Sequence, residues 1–183
     1  MYPIARESTR LALRELTTDD VDAVLAIYGD AEATRHLSFT PRSREDVDGI
    51  VTRSIASAGA SPREEYALAV VCRAGGLVGF ARLAIDPHQQ RAATIGFALR
   101  PDAWGVGHGV ETVHLLLGLA FEDLGLHRVW GARSPLNISS QRTMLAAGMV
   151  EEGRIREHVF VRGQWRDSVV HAILESEWKA PAR

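Results

Sequence analysis

Three short β-rich runs follow one another in the middle of the chain, and their order constrains the fold more than any other feature. The runs "EYALAVVC" and "GLVGFARLAI" lie on either side of a glycine-rich turn, which is typical of a β-hairpin. A third run, "RAATIGFALR", follows closely. Strands joined by such short connections pair antiparallel, whereas a parallel pair needs a long crossover. The sequence therefore excludes a simple doubly wound parallel fold.

The chain ahead of these runs predicts one strand and two helices. "TRLALREL" alternates apolar and polar residues, as a half-buried strand does. "TTDDVDAVLAIYGD" and "SREDVDGIVTRSIASAG" have apolar residues at helical spacing. In the second of these segments Ser43 is placed to cap the start of a helix and Gly59 to cap its end.

The chain after the three runs returns to helical spacing and then ends in a hairpin. A long amphipathic helix is predicted up to Gly125, followed by the strand "HRVWGARS" and the short helix "NISSQRTMLAAG". The terminal hairpin turns at Arg162 and Gly163. The predicted order is β-α-α-β-β-β-α-β-α-β-β, which describes a mixed α/β domain.

Composition narrows the class of protein. A chain of 183 residues with 46% hydrophobic and 24% charged residues predicts a single globular domain over residues 1–183. The net charge of −2 argues against a nucleic-acid partner, and the single cysteine excludes an internal disulfide. No apolar run approaches 18 residues, so we expect no signal peptide and no membrane span. We expect a cytoplasmic protein, and the histidine spacing indicates no metal site.

Three glycines at alternate positions, in "WGVGHGVE", precede the long helix. The first turn of a helix has unpaired N–H groups and a partial positive charge, and glycines there let a phosphate approach the backbone. The pattern is neither the dinucleotide fingerprint nor a P-loop. By itself it fits an anion site and an ordinary glycine-rich turn about equally well.

Four segments together resemble the GNAT (GCN5-related) N-acetyltransferase superfamily. Residues 104–109 match its acetyl-CoA motif, R/Q-x-x-G-x-G/A, except that Trp104 replaces Arg or Gln. This replacement resembles the branch of RimJ/RimL type, the ribosomal-protein N-terminal acetyltransferases. "RLALRELTTDD", "NISSQRTMLAAGM" and the terminal hairpin resemble the corresponding parts of that branch, in the same order.

The resemblance implies a mostly antiparallel central sheet that splays between the fourth and fifth predicted strands, with acetyl-CoA in the gap. Pantetheine would pair with the fourth strand, and the pyrophosphate would lie on the amides that follow Trp104. Asn137 and Ser140 match positions near the pantetheine and the sulfur, although Asn137 is also a good helix N-cap. Arg142 is placed to reach a phosphate or to lie on a solvated helix face. The residues implied to bind acetyl-CoA are Phe97, Ala98, Leu99, Trp104, Gly105, Val106, Gly107, His108, Gly109, Val110, Asn137, Ser140 and Arg142.

The chemistry implied is direct attack of an amine on the acetyl thioester through a tetrahedral intermediate. This reaction uses a base, an oxyanion donor and an acid for the thiolate. A backbone N–H within residues 96–99 would serve the oxyanion. Met144 stands where many relatives have a tyrosine that acts as the acid for the departing thiolate. In this chain Ser140 or a water would take that role. Thr94 stands near the position of a glutamate base in some relatives, so Glu157 on the terminal hairpin is the predicted base, with an exposed surface charge as the alternative.

The acceptor and the assembly are less constrained. His36 lies in a loop that lines the acceptor pocket in relatives, although it is equally a surface histidine. The acceptor is a small-molecule amine or a protein N-terminus. The alternative function is a non-catalytic acyl-CoA-binding or sensing domain of the same fold. The terminal hairpin offers edge strands for a homodimer.

Overall fold

A computed structural model describes residues 2–181 of the chain. Eight strands form one sheet and four α-helices pack on it. The strands are β1 (Ala5–Glu7), β2 (Leu11–Glu15), β3 (Glu65–Cys72), β4 (Gly76–Ile85), β5 (Ala92–Leu99), β6 (Arg128–Arg133), β7 (Val150–Val161) and β8 (Gln164–Leu174). The helices are α1 (Val21–Tyr28), α2 (Arg44–Ala58), α3 (His108–Gly118) and α4 (Ile138–Ala146).

The strand order in the sheet is β1-β2-β3-β4-β5-β6-β8-β7. Every neighbouring pair is antiparallel except β5 and β6, which are parallel. Helix α3 crosses over between these two strands, as parallel pairing requires. The mostly antiparallel mixed sheet predicted from the sequence is confirmed.

Two apolar layers hold the helices on opposite faces of the sheet. The larger contains the buried residues of α3, such as Val113 and Leu117, packed against Leu13 and Leu83 of the sheet. The smaller lies under α1 and α2, where Val24, Ile27 and Val47 are fully buried. The site described below lies where α3 and α4 meet the opening of the sheet.

Helix starts and turns largely follow the sequence signals. The Ser43 hydroxyl accepts a hydrogen bond from the Asp46 N–H at 3.1 Å, and the Asp46 carboxylate accepts one from the Ser43 N–H at 3.0 Å. This reciprocal capping box confirms the predicted start of α2. At the β7–β8 turn Arg162 and Gly163 both have positive φ, 54° and 76°, which confirms the predicted hairpin turn.

Two predicted elements differ from the structure. The single N-terminal strand is divided into β1 and β2, because the Ser8 hydroxyl donates to the Leu11 carbonyl at 2.9 Å and closes a tight turn between them. The long helix does not continue as an α-helix to Gly125. It changes to a π-helical turn over Leu119–Asp123, and Gly125 then reverses the chain with φ of 59°.

Candidate active site

The sheet opens between β5 and β6. Only three residue pairs join these strands, from Ala92–Arg128 to Thr94–Trp130. Beyond Thr94, β5 continues beside β4 and β6 continues beside β8, so a gap lies between them. The splay that the resemblance implied is confirmed.

The edge of β5 presents unpaired backbone to this gap. The Arg100 N–H donates to the Val78 carbonyl of β4 at 2.8 Å. Because successive strand residues direct their N–H groups to opposite sides, those of Phe97 and Leu99 point away from β4 and into the gap. The Trp104 indole donates to the Leu99 carbonyl at 2.9 Å and so fixes the end of the strand.

The glycine turn leads from β5 to the start of α3. Gly105 and Gly107 have φ of 75° and 87°, a conformation that side-chain-bearing residues rarely adopt. Gly107 is the N-cap of α3, and it leaves the N–H groups of the first helical turn directed towards the cleft. These amides and the helix dipole favour a bound anion.

Two side chains hold this turn against the N-terminal hairpin. The Arg10 guanidinium donates to the Val106 carbonyl at 2.7 Å and pairs with the Glu111 carboxylate at 2.7 Å. Glu111 also accepts hydrogen bonds from the Ser8 hydroxyl and the Arg10 N–H. Burial alone would raise the pKa of Glu111, but these hydrogen bonds and the charge of Arg10 hold it below its ordinary value.

Gly109 also has a role in helix packing. A Cβ atom there would lie 3.1 Å from the Thr143 hydroxyl oxygen, because α4 packs closely on the first turn of α3. The sequence predicts all three glycines as room for a phosphate, and Gly109 lines the glycine-side cavity. Its lack of a side chain in addition lets α4 pack closely on α3.

Two cavities meet at the gap. The glycine-side cavity, about 550 Å³, is lined by the glycine turn, the start of α3 and the exposed face of α4. The arginine-side cavity, about 370 Å³, is lined by the loop of residues 31–40 and by strands β4, β5, β6, β7 and β8, together with Tyr28 and residues of α4. The residues that line both are His36, Leu37, Phe97, Ala98, Asn137 and Ser140.

Most of the predicted binding residues line the glycine-side cavity. The exceptions are Val106 and His108, which contribute to the turn through their backbone. Arg142 lines this cavity, is exposed, and has no carboxylate partner among residues 2–181.

Asn137 and Ser140 lie at the junction of the cavities and also begin α4. The Asn137 side-chain oxygen accepts a hydrogen bond from the Ser140 N–H at 3.0 Å, so the N-cap role weighed from the sequence is present. The Ser140 hydroxyl has no hydrogen-bond partner in the described chain. The cap therefore holds this hydroxyl at the place where the two cavities meet.

Glu157 does not lie where the sequence argument placed it. Strand alternation predicts Glu157 and Val159 on one face of a regular strand, with His158 on the other. In the structure the β7–β8 register shifts between Ile155 and Val159, and Glu157 has φ of 48°. As a result His158 and Val159 both line the arginine-side cavity, whereas Glu157 is exposed and lines neither cavity.

The arginine-side cavity contains residues that the sequence analysis missed. Tyr28 packs against Phe39 and Phe80, with ring centroids 4.9 and 5.1 Å apart. Burial raises the pKa of Tyr28, so its hydroxyl stays protonated at neutral pH. Arg166 reaches the cavity from β8. No local sequence pattern marks these residues, because the cavity is assembled from segments far apart in the chain.

His36 lines both cavities. Burial lowers the pKa of its imidazole, and the charges of Arg35, Arg166 and Arg162 lower it further. The imidazole is therefore neutral at pH 7 and can accept a proton or a hydrogen bond.

Comparison with known proteins identifies this architecture. The model of the family described as "Acetyltransferase (GNAT) domain" matches residues 10–150, which include the splayed strands and the glycine turn. The chain belongs to the GNAT acetyltransferase family. Family membership makes it an N-acetyltransferase, which favours the enzymatic alternative over the non-catalytic one.

Three similar proteins illustrate the relationship. Uncharacterized N-acetyltransferase YoaA of Bacillus subtilis is 28% identical over 185 residues, covering 96% of this chain and 98% of its own. RimJ of Mycobacterium smegmatis, solved with CoA-disulfide, has a TM-score of 0.81 at 21% identity, covering 96% and 90% of the two chains. Spermidine N-acetyltransferase of Vibrio cholerae, solved with CoA and spermine, has a TM-score of 0.80 at 21% identity, covering 93% and 98%. The two solved structures share the GNAT fold.

No helix within residues 2–181 is long and apolar enough to cross a membrane. Over the same residues, no group of three His, Cys, Asp or Glu side chains is arranged to hold a metal ion.

Proposed function

We propose that this GNAT protein transfers the acetyl group of acetyl-CoA to a primary amine, with acetyl-CoA in the glycine-side cavity and the amine in the arginine-side cavity. The observation that carries the proposal is the junction of the two cavities at the splayed edge of β5. A cosubstrate and an acceptor that approach from opposite sides would meet there. The complexes with CoA in relatives of the same fold support this assignment.

The chain fits the parts of CoA at three points. The first-turn amides of α3 and the unpaired Arg142 suit the pyrophosphate. The exposed N–H group of Leu99 suits the amide-rich pantetheine arm, which would pair with β5 as an added strand. The junction then receives the thioester end of the molecule.

Three groups at the junction have complementary roles. Acetyl-CoA supplies an activated acetyl thioester. The amine nitrogen bonds to its carbonyl carbon to give a tetrahedral intermediate. The carbon–sulfur bond then breaks, and its electron pair leaves with sulfur. The Phe97 N–H stabilises the negative charge that develops on the carbonyl oxygen. The neutral His36 imidazole accepts the amine proton, and the Ser140 hydroxyl donates a hydrogen bond to the departing sulfur.

His36 replaces Glu157 as our proposed base, because His36 lines both cavities and Glu157 lines neither. Glu157 keeps its backbone role, donating its N–H to the Asp167 carboxylate at 2.8 Å. Its assignment as the base stays a prediction.

Calorimetric titration with CoA tests the placement of the cosubstrate. Arg142→Glu puts a negative charge beside the proposed pyrophosphate site and should weaken CoA binding about 10-fold or more, the loss expected for one charge-assisted contact. Arg53→Glu is the matched control, since Arg53 is also an exposed helical arginine but lies on α2, away from both cavities. Equal CoA affinity in the two variants would show that the pyrophosphate binds elsewhere.

Self-association is a further part of the proposed function. β7 is the last strand of the sheet, so its outer edge has no partner within the described chain. Phe160 and Trp165 on this hairpin are 60% and 59% exposed and pack edge-to-face at 5.3 Å. A second copy would cover both the edge and the aromatic pair. Light scattering should then give a dimer mass at micromolar concentration and a monomer mass for Phe160→Lys, and a monomeric parent protein would exclude this assembly.

A further inference from the structure

The arginine-side cavity has a one-sided charge distribution. Three arginines line it, Arg82, Arg133 and Arg166, together with His36 and His158. Among residues 2–181, the cavity lining contains no aspartate and no glutamate. A cavity that receives a cationic polyamine would be expected to carry the opposite charge.

The three arginines differ in how far their charges are compensated. Arg82 forms two hydrogen bonds to the Glu65 carboxylate, at 2.9 and 3.0 Å. Arg133 lies 3.3 Å from the Glu151 carboxylate. Arg166 has no carboxylate partner in the part of the chain that the structure describes.

Arg166 is partly removed from water without a counter-charge. Its guanidinium donates to the carbonyls of His36 and Leu37 at 2.9 and 3.1 Å, whereas its buried Nε has no hydrogen-bond partner. Burial and the neighbouring Arg162 lower the pKa of Arg166, and it still carries its charge at neutral pH. A desolvated cation of this kind gains most from an anionic partner.

Much of the remaining cavity wall is apolar or aromatic, beside a few neutral polar side chains. Tyr28, Phe39, Phe97, Trp130 and Met144 contribute to it. A volume of about 370 Å³ is near the lower end of the range for small-molecule sites. The cavity therefore combines a place for an apolar body with one uncompensated positive charge.

We propose that the acceptor is a small primary amine that carries an apolar body and an anionic group, a carboxylate or a phosphonate, bound by the Arg166 guanidinium. Resting on the proposed function, this inference names the substrate class of the same cavity. The planar guanidinium can bind either group through two parallel hydrogen bonds. The same charge disfavours polyamines, and a peptide N-terminus lacks the adjacent anion.

A matched set of acceptors tests the class. Thiol release from acetyl-CoA is measured with L-phenylalanine, its phosphonate analogue, L-phenylalaninamide, phenethylamine and spermidine, and then with the other free amino acids. The amide represents a peptide N-terminus, and phenethylamine retains the ring and amine without the anion. We expect kcat/KM to be at least about 10-fold higher for the best anionic amine than for its uncharged counterparts. The kcat/KM values for phenylalanine and its phosphonate analogue show which of the two anions the cavity prefers.

Variants of Arg166 test the residue. Arg166→Gln removes the charge and should raise KM for the anionic acceptor about 10- to 100-fold, a larger rise than for phenethylamine, while KM for acetyl-CoA changes little. Arg166→Lys keeps the charge and should recover part of the loss. Arg162→Gln is the control, because Arg162 donates to the Thr34 carbonyl of the same loop but does not line the cavity. An equal rise in KM for Arg162→Gln would assign the effect to loop anchoring and overturn the proposal.

The outcomes separate this inference from the proposed function. Failure to bind acetyl-CoA would reject the proposed function itself. Acetyl-CoA binding with preferred turnover of spermidine, phenethylamine or the amide would leave the proposed function standing and overturn the anionic acceptor. Acetyl-CoA binding without turnover of any anionic amine in the panel would overturn it as well.

Discussion

The two cavities that meet at the β5 edge are built from different parts of the polypeptide. The glycine-side cavity offers backbone groups from a strand edge, a turn with positive φ and the first turn of α3, beside residues of α4 and of the loop of residues 31–40. The arginine-side cavity is lined by residues from eight segments, among them α1, the loop of residues 31–40 and strands β7 and β8. Backbone geometry suits a cosubstrate that is the same for a whole family, whereas side chains can change with the acceptor.

The largest expected effect on turnover comes from removing one backbone N–H that faces the gap. Phe97→Pro removes the donor that faces the gap without removing a hydrogen bond to β4. We expect kcat to fall about 10²- to 10³-fold, the usual loss of one oxyanion donor. Phe97→Ala is the control for the side chain and should retain most of its turnover. Equal kcat in the two variants, with CoA still bound and the melting temperature unchanged, would assign the oxyanion to another donor.

A comparison of two candidate bases tests whether side chains at the junction perform the proton transfer. His36→Gln should lower kcat/KM about 10²-fold, near the lower end for a general base because water also deprotonates amines. Because a base must be unprotonated, the parent activity should fall as pH drops through the His36 pKa, which lies below 6.5. His36→Gln should lose this acidic limb and Glu157→Gln should keep it. The reverse result would restore Glu157 as the base.

Ser140 lies where backbone and side-chain contributions overlap. Ser140→Ala removes the hydroxyl but not the backbone N–H that bonds to Asn137. We expect kcat to fall about 10- to 100-fold, since a thiolate is a fair leaving group and the hydroxyl offers one hydrogen bond. The affinity for CoA should not change. Full turnover in this variant would leave Ser140 with its helix-start role alone.

The smallest expected effect concerns the support of the glycine turn. Glu111→Gln weakens the bonds to Ser8 and Arg10 and should reduce the free energy of unfolding by about 1.5–3 kcal/mol at pH 7. Because the folded pKa of Glu111 lies below its ordinary 4.5, its stabilisation is present above pH 4.5 and is lost as pH falls through the folded value. Urea unfolding at pH 7 and pH 3 should therefore show a difference between parent and variant that shrinks in acid. A constant difference would mean that the charge of Glu111 does not contribute.

The limits of sequence-based prediction follow the same division between backbone and side chains. Strand alternation, Ser43 and the Arg162-Gly163 pair are local signals, and the structure confirms what they predicted. The Glu157 placement failed because strand alternation assumes a regular strand, and the β7–β8 register shift is set by pairing with another strand. Arg166 and Tyr28 had no signal at all, since their proximity depends on segments more than 100 residues apart.

Two arginine side chains of the β7–β8 hairpin donate hydrogen bonds to main-chain carbonyls of the loop of residues 31–40. Arg162 holds the Thr34 carbonyl, and Arg166 holds those of His36 and Leu37. Every residue of the loop has a main-chain carbonyl, so these hydrogen bonds would persist when the side chains of the loop vary. Exchange of the hairpin alone would remove both arginines and their hydrogen bonds to the loop. An engineer who seeks a new acceptor specificity should therefore exchange the loop and the hairpin between relatives together, as one unit.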